Sequence, residues 1–150
     1  MYKRQAPHGP GELSPDEVTR YEDGSGDPLT DLVVLLAARA SGEKDFELHR
    51  LRRELMQRES RLFSDKATQL QRIREQMIEL VAERLRADEL GAGRMPDEHA
   101  LHDRAVFIVM LCMTVARHGW SRWAAGEGAT ALDDCMLGAL DEFREIAVAR

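Results

Sequence analysis

The chain is read as all-α, a helical bundle of about five main helices. Apolar residues recur at i, i+3 and i+4 over long stretches, only 5% of the 150 residues are aromatic, and the composition is rich in Leu, Ala, Met, Arg and Glu. No stretch suggests a sheet. A chain of this length is expected to make one domain that buries roughly two-thirds of its unfolded surface. The formal charge of -6 argues against a nucleic-acid footprint over the chain as a whole, because such a footprint is net basic. Cys112 and Cys135 lie in apolar helical patterns and are expected to be free, buried thiols of a reduced, cytoplasmic protein.

Residues 1–27 are expected to be a disordered or linker segment. From Pro7 to Pro28 there are four Pro and four Gly among 22 residues, and Glu12 to Asp31 carries seven acids against the single Arg20. Within this segment Ser14-Pro15-Asp16-Glu17 has the form of a capping box, which predicts a short helix over Pro15 to Glu22. Met1 to Gln5, M-Y-K-R-Q, resembles a translated sequencing-library adapter, so residues 1–5 are expected to be an artefact.

Residues 28–150 are expected to form the helical domain. Asp27 as N-cap and Pro28 at N1 open a first core helix through Leu32, Val33, Leu35 and Leu36 to about Ser41. A second runs from about Lys44 to Gln57 on Leu48, Leu51 and Leu55. Ser64 or Asp65 is expected to cap a third, reaching about Ala87, with Ala67, Leu70, Ile73, Met77, Val81 and Leu85 on one stripe. Gly91, Gly93 and Pro96 break the chain before Asp97 starts the longest helix, which Gly126 and Gly128 end. That helix contains Ala105 to Ala116, twelve apolar or near-apolar residues without Gly or Pro. It is too short to span a bilayer, which takes about 20, and is expected to be buried on every side. The last helix, about Thr130 to Val148, places Leu132, Met136, Ala139, Leu140 and Phe143 on one stripe.

Chemical motifs are sparse. His99 and His102 share a helical face with Glu98 and Asp103 nearby, but a zinc site needs three or four convergent ligands and the di-iron signature needs Glu-x-x-His from two helices. A polar first turn accounts for them, and no metal or cofactor is expected. His118 is expected to be a boundary residue. There is no nucleophile elbow, phosphate-cradling loop or local Cys-His motif, so the motifs support no enzyme. Five Arg from Arg50 to Arg61 make a basic face that is either solvated or grips an anion. Trp120 and Trp123 stand three apart near the end of the longest helix, and Trp is enriched at interface hot spots.

The run L-x-x-R-R-E-L-M-Q-R-E-S-R-L-F at Leu48 to Phe63, I-E-L-V-A-E-R-L at Ile78 to Leu85, R-A-V-F-I-V-M-L-C-M-T-V-A-R-H-G-W-S-R-W from Arg104, and Leu140-Asp141-Glu142-Phe143 resemble the C-terminal half of TetR-type transcriptional regulators. The likeness is nearest to the kind with an acyl-CoA-like ligand-binding domain, as in mycofactocin repressors, and covers roughly Pro28 to Val148. It implies a domain that senses a small apolar or acyl-CoA-like effector and forms a homodimer through a four-helix bundle of the last two helices. The helix-turn-helix unit has no counterpart before Asp27, so an N-terminally truncated regulator is expected, touching DNA only through the missing part, with no membrane role. The implied ligand-binding residues are Arg53, Ile73, Arg74, Met77, Val81, Phe107, Met110 and Leu111, between the third helix and the Phe107 to Met113 side of the central one. The implied dimer interface is Trp120, Trp123, Leu132, Met136, Leu140 and Phe143. The alternative is a stand-alone helical adaptor or protein-interaction module.

Overall fold

A computed structural model describes residues 12–41 and 60–149, with side chains in the 60–91 helix from residue 70 onward. The described residues form five helices and no strand: α1 (Pro15–Glu22), α2 (Pro28–Ala40), α3 (Ser60–Gly91), α4 (Glu98–Ala125) and α5 (Leu132–Val148). The expected helix from Lys44 to Gln57 lies outside the described residues.

Local chemistry sets most of the helix ends. The Ser14 hydroxyl accepts from the Glu17 amide at 3.2 Å while the Glu17 carboxylate accepts from the Ser14 amide at 2.9 Å, so the capping box is complete ahead of α1. Asp27 accepts from the Thr30 amide at 2.9 Å to open α2, and Asp97 accepts from the amides of His99 and Ala100 to open α4. The expected start of α3 is corrected: Ser64 and Asp65 lie inside the helix, which begins by Ser60. The flanking sequence S-R-L-F-S-D-K-A has no Gly or Pro to interrupt it, and a capping-type pair does not stop a helix that its neighbours propagate. α3 also runs past Ala87 to Gly91. Its stop is Gly93 at φ 76°, where the Arg94 amide reaches back to the Glu89 carbonyl at 2.9 Å.

α4 packs between α3 and α5, and α2 lies across α4 and α5. The core holds Leu32 and Val33 of α2, Met77 and Val81 of α3, Ala105, Val109 and Cys112 of α4, and Ala139 and Leu140 of α5. Full burial of a side chain such as Leu32 or Met77 stabilises the fold by roughly 1.5–3 kcal/mol. A second cluster joins Ala37, Ala116, Trp123, Leu132 and Met136. At the α4–α5 crossing a Cβ on Gly119 would lie 2.6 Å from the Met136 Cα, so only glycine permits this approach.

The structure refines two expectations. Residues 12–27 are not all linker, since Leu13 and Tyr21 are in the main core cluster and α1 bridges α2 and α3. Nor does the chain by itself bury α4 on every side. Leu101, Ala105, Val109, Cys112, Ala116 and Trp123 are inside at helical spacing, while Phe107 is 61% and Met110 52% exposed on the opposite side. An apolar run does not reveal how many neighbours a helix has. By length and composition alone α4 would also cross a membrane, yet here one face forms the core of the bundle.

Candidate functional site

The residues expected to line an effector pocket divide into two groups. Ile73, Met77 and Val81 are buried, and Met77 and Val81 have no exposure at all. Phe107 and Met110 stand on the far side of α4, so the two halves of the expected pocket do not face each other. Arg74 and Leu111 are half-buried, and Arg53 lies outside the described residues.

The expected dimer interface is corrected in a similar way. Trp123, Leu132, Met136 and Leu140 are each at most 3% exposed, consumed by packing within the chain. Phe143 packs partly buried against the main cluster, and Trp120 is half-buried with its ring centroid 5.5 Å from that of Trp123 in an edge-on arrangement. The stripe on the last helix does carry apolar contacts, but it meets α2 and α4. Sequence periodicity identifies a buried face without saying which chain buries it.

The outward apolar surface lies elsewhere. Phe107, Met110 and Thr114 form one exposed arc of α4, and Ile146 on α5 is 68% exposed. Further along, Glu142 of α5 pairs with Arg122 and lies 3.7 Å from the His118 Nε2, joining the solvent sides of the two helices. Gly138 offers a bare backbone on α5 with nothing of its own chain within 4 Å of an added Cβ.

The most concentrated polar arrangement is one the sequence reading missed. Arg84 of α3 is 8% exposed. Its guanidinium donates to the carbonyls of Tyr21 and Gly24, each at 3.2 Å, and to that of Gly26. Nη1 lies 2.7 Å from Asp31 Oδ2, and the group sits 4.8 Å from the centroid of the Tyr21 ring. The Tyr21 hydroxyl donates to the Pro28 carbonyl at 3.0 Å. Burial is the main cause that raises the Tyr21 phenol above its ordinary value of 10.0, partly offset by the Arg84 charge. A Cβ at Gly24 or Gly26 would meet the Asp31 carboxylate at 2.4 or 2.7 Å, so a side chain at either position makes that carboxylate shift. The sequence did hold a signal: Arg84 falls on the buried stripe of α3, three residues after Val81, where a charge needs partners.

Two open grooves flank the bundle. One of ≈ 560 Å³ between α3 and α4 has Ile78 and Ala82 beside Glu75, Glu79, Glu83, Glu98 and His102, with Arg86 bridging Glu83 and Glu98. The other, ≈ 400 Å³, lies between α1 and α2 along Tyr21, Val34, Leu35, Ala38 and Arg39. His99 and His102 are exposed, and among the described residues no three His, Cys, Asp or Glu side chains converge as metal ligands. Burial pushes the Cys112 thiol up to about 12. Burial, followed by the charge of Asp134, also raises Cys135.

Compared with family models, with curated proteins and with solved structures, the chain matches none. The fold class is therefore an all-α bundle of helices on its own geometry.

Proposed function

We propose that this chain is the effector-sensing and dimerisation part of a TetR-type transcriptional regulator. The observation that carries the reading is the outward apolar arc Phe107, Met110 and Thr114 on a long penultimate helix packed beside the last one. Apolar side chains of that size, aligned along a helix and left open by their own chain, suit burial against a second copy. The interface of the proposed homodimer is this arc together with Ile146 and the bare backbone at Gly138, in place of the core stripe. The effector of such a regulator is a small apolar or acyl-CoA-like molecule, and because the chain itself buries Ile73, Met77 and Val81, it enters beside α3 only where that packing opens. In the intact regulator, an effector that favours one arrangement of α3 against its neighbours changes the separation of two recognition helices and so weakens operator binding.

The reading is tested by fusing the chain to a repressor DNA-binding unit that binds its operator only as a dimer. The fusion represses a reporter, and Phe107→Asp with Met110→Asp abolishes repression without unfolding the chain. A folded fusion that does not repress contradicts the proposal.

A further inference from the structure

We propose that residues 12–27 are an internal stand-in for the effector, a strap occupying the seat of an anionic amphiphile between α2 and α3. The inference rests on the effector-sensing reading in one respect only, that the core beside α3 admits an apolar ligand.

The course of the strap is set by contacts at both ends. Glu12 lies 3.5 Å from the Arg72 Nη1, and the Leu13 amide donates to the Gln76 side chain at 2.9 Å. At the far end Arg84 takes the Tyr21, Gly24 and Gly26 carbonyls. The strap therefore follows α3 from Arg72 to Arg84, about 18 Å of helix. Arg39 of α2 holds it from the other side, reaching the Glu12 carbonyl at 3.2 Å and the Glu17 carboxylate at 2.8 Å. Among the described residues α1 touches both α2 and α3.

The chemistry of the strap is that of an amphiphile. Leu13 and Tyr21 are buried and Val18 partly so, in the same cluster as Ile73, Met77, Leu80 and Val81. Glu12 and Glu17 sit on Arg72 and Arg39 at one end. With the strap lifted, an apolar trough would lie beside two arginines without their acids. Such a seat fits a carboxylate or phosphate head on a single medium-length acyl chain. The strap is joined to the body by polar ties to Arg39, Arg72 and Arg84 and by the packing of Leu13, Val18 and Tyr21. Ligand and strap compete, so a ligand acts by releasing the segment that precedes α2.

The test uses the full chain with dodecanoate as probe, and dodecyltrimethylammonium as a probe of like chain and opposite head. Binding is followed by calorimetry, and exchange of the strap amides by hydrogen–deuterium mass spectrometry. Dodecanoate is expected to bind and to speed exchange over residues 13–24, and the ammonium compound is expected not to bind. Glu17→Gln and Leu13→Ser alter the strap but leave the trough intact. Each should tighten dodecanoate by about tenfold, because the competent state is no longer a minor one. The proposal is overturned if both variants bind no tighter than the parent, if the ammonium compound binds equally well, or if dodecanoate binds while strap exchange is unchanged. A monomer that binds dodecanoate in this way contradicts the dimeric reading alone, whereas a dimer that fails these tests contradicts the strap alone.

Discussion

The guanidinium of Arg84 stacks 4.8 Å from the centre of the Tyr21 ring and at the same time donates to the Tyr21 carbonyl. One side chain thus holds both the ring and the backbone of Tyr21. Asp31 completes the arrangement, its Oδ2 2.7 Å from Arg84 though not aligned as a hydrogen bond. A buried cation in this position is stable because its neighbours supply negative charge and carbonyl dipoles; it is not evidence of net stabilisation over an apolar replacement.

Removing one partner is a different matter. Arg84→Ala leaves Asp31 as an uncompensated carboxylate and three carbonyls without their donor, which is expected to cost roughly 3–5 kcal/mol. Arg84→Lys keeps the charge without the planar fork and should recover only part of that loss. Urea denaturation of the three proteins measures it, and a loss below about 1 kcal/mol for Arg84→Ala would place the latch outside the stabilising core.

The cap of α2 sets a pH dependence. Partial burial works against ionisation of Asp27, but the hydrogen bonds from the Thr30 hydroxyl and amide, the charge of Arg144 and the Leu29 amide together hold its carboxyl below the ordinary 3.8. A depressed folded-state value means that the stabilisation is present above 3.8 and disappears as pH falls through the lower folded value. Asp27→Ala should therefore cost about 1 kcal/mol at pH 7, with the difference from the parent shrinking below pH 3.8. Thermal melts across this range check it. A difference that grows on acidification would contradict the capping role.

The two thiols should differ in reactivity. Cys112 is fully buried in the centre of α4, and its thiol is pushed up to about 12 by that burial. Cys135, expected to be buried, is only half-buried near the start of α5, on the edge of the stripe that packs inward. At pH 8 an aromatic disulfide reagent is expected to modify Cys135 slowly and Cys112 only on unfolding, so Cys135→Ser abolishes the native reaction. Equal rates at the two positions in the native protein would contradict the described core.

Much of the fold could be read from residues whose chemistry is local. Ser14 with Glu17, Asp27 with Pro28, and Asp97 each announce a helix start because the side chain reaches an amide two or three residues away. Ser64 and Asp65 have the same chemistry but lie within α3, since capping needs a chain that is otherwise ready to stop. What the sequence did not show is allocation among neighbours. Leu132, Met136 and Leu140 form an unmistakable stripe, yet only the packing of α2 and α4 reveals that this chain buries it. Phe107 and Met110 are as apolar as Val109 and Cys112, and their exposure follows from where α3 and α5 lie. The acid-rich sequence before Asp27 resembles a linker in composition, and its few apolar residues, Leu13, Val18 and Tyr21, decide its place.

The central claim, that the open arc of α4 is a homodimer interface, is tested most directly by light scattering on the eluting protein at micromolar concentration. The expected mass is twice that of the 17.0 kDa chain. It should fall to the single-chain value in the Phe107→Asp, Met110→Asp variant while helical circular dichroism is retained. A parent chain that elutes as a monomer, or a variant that remains a dimer, would contradict the account.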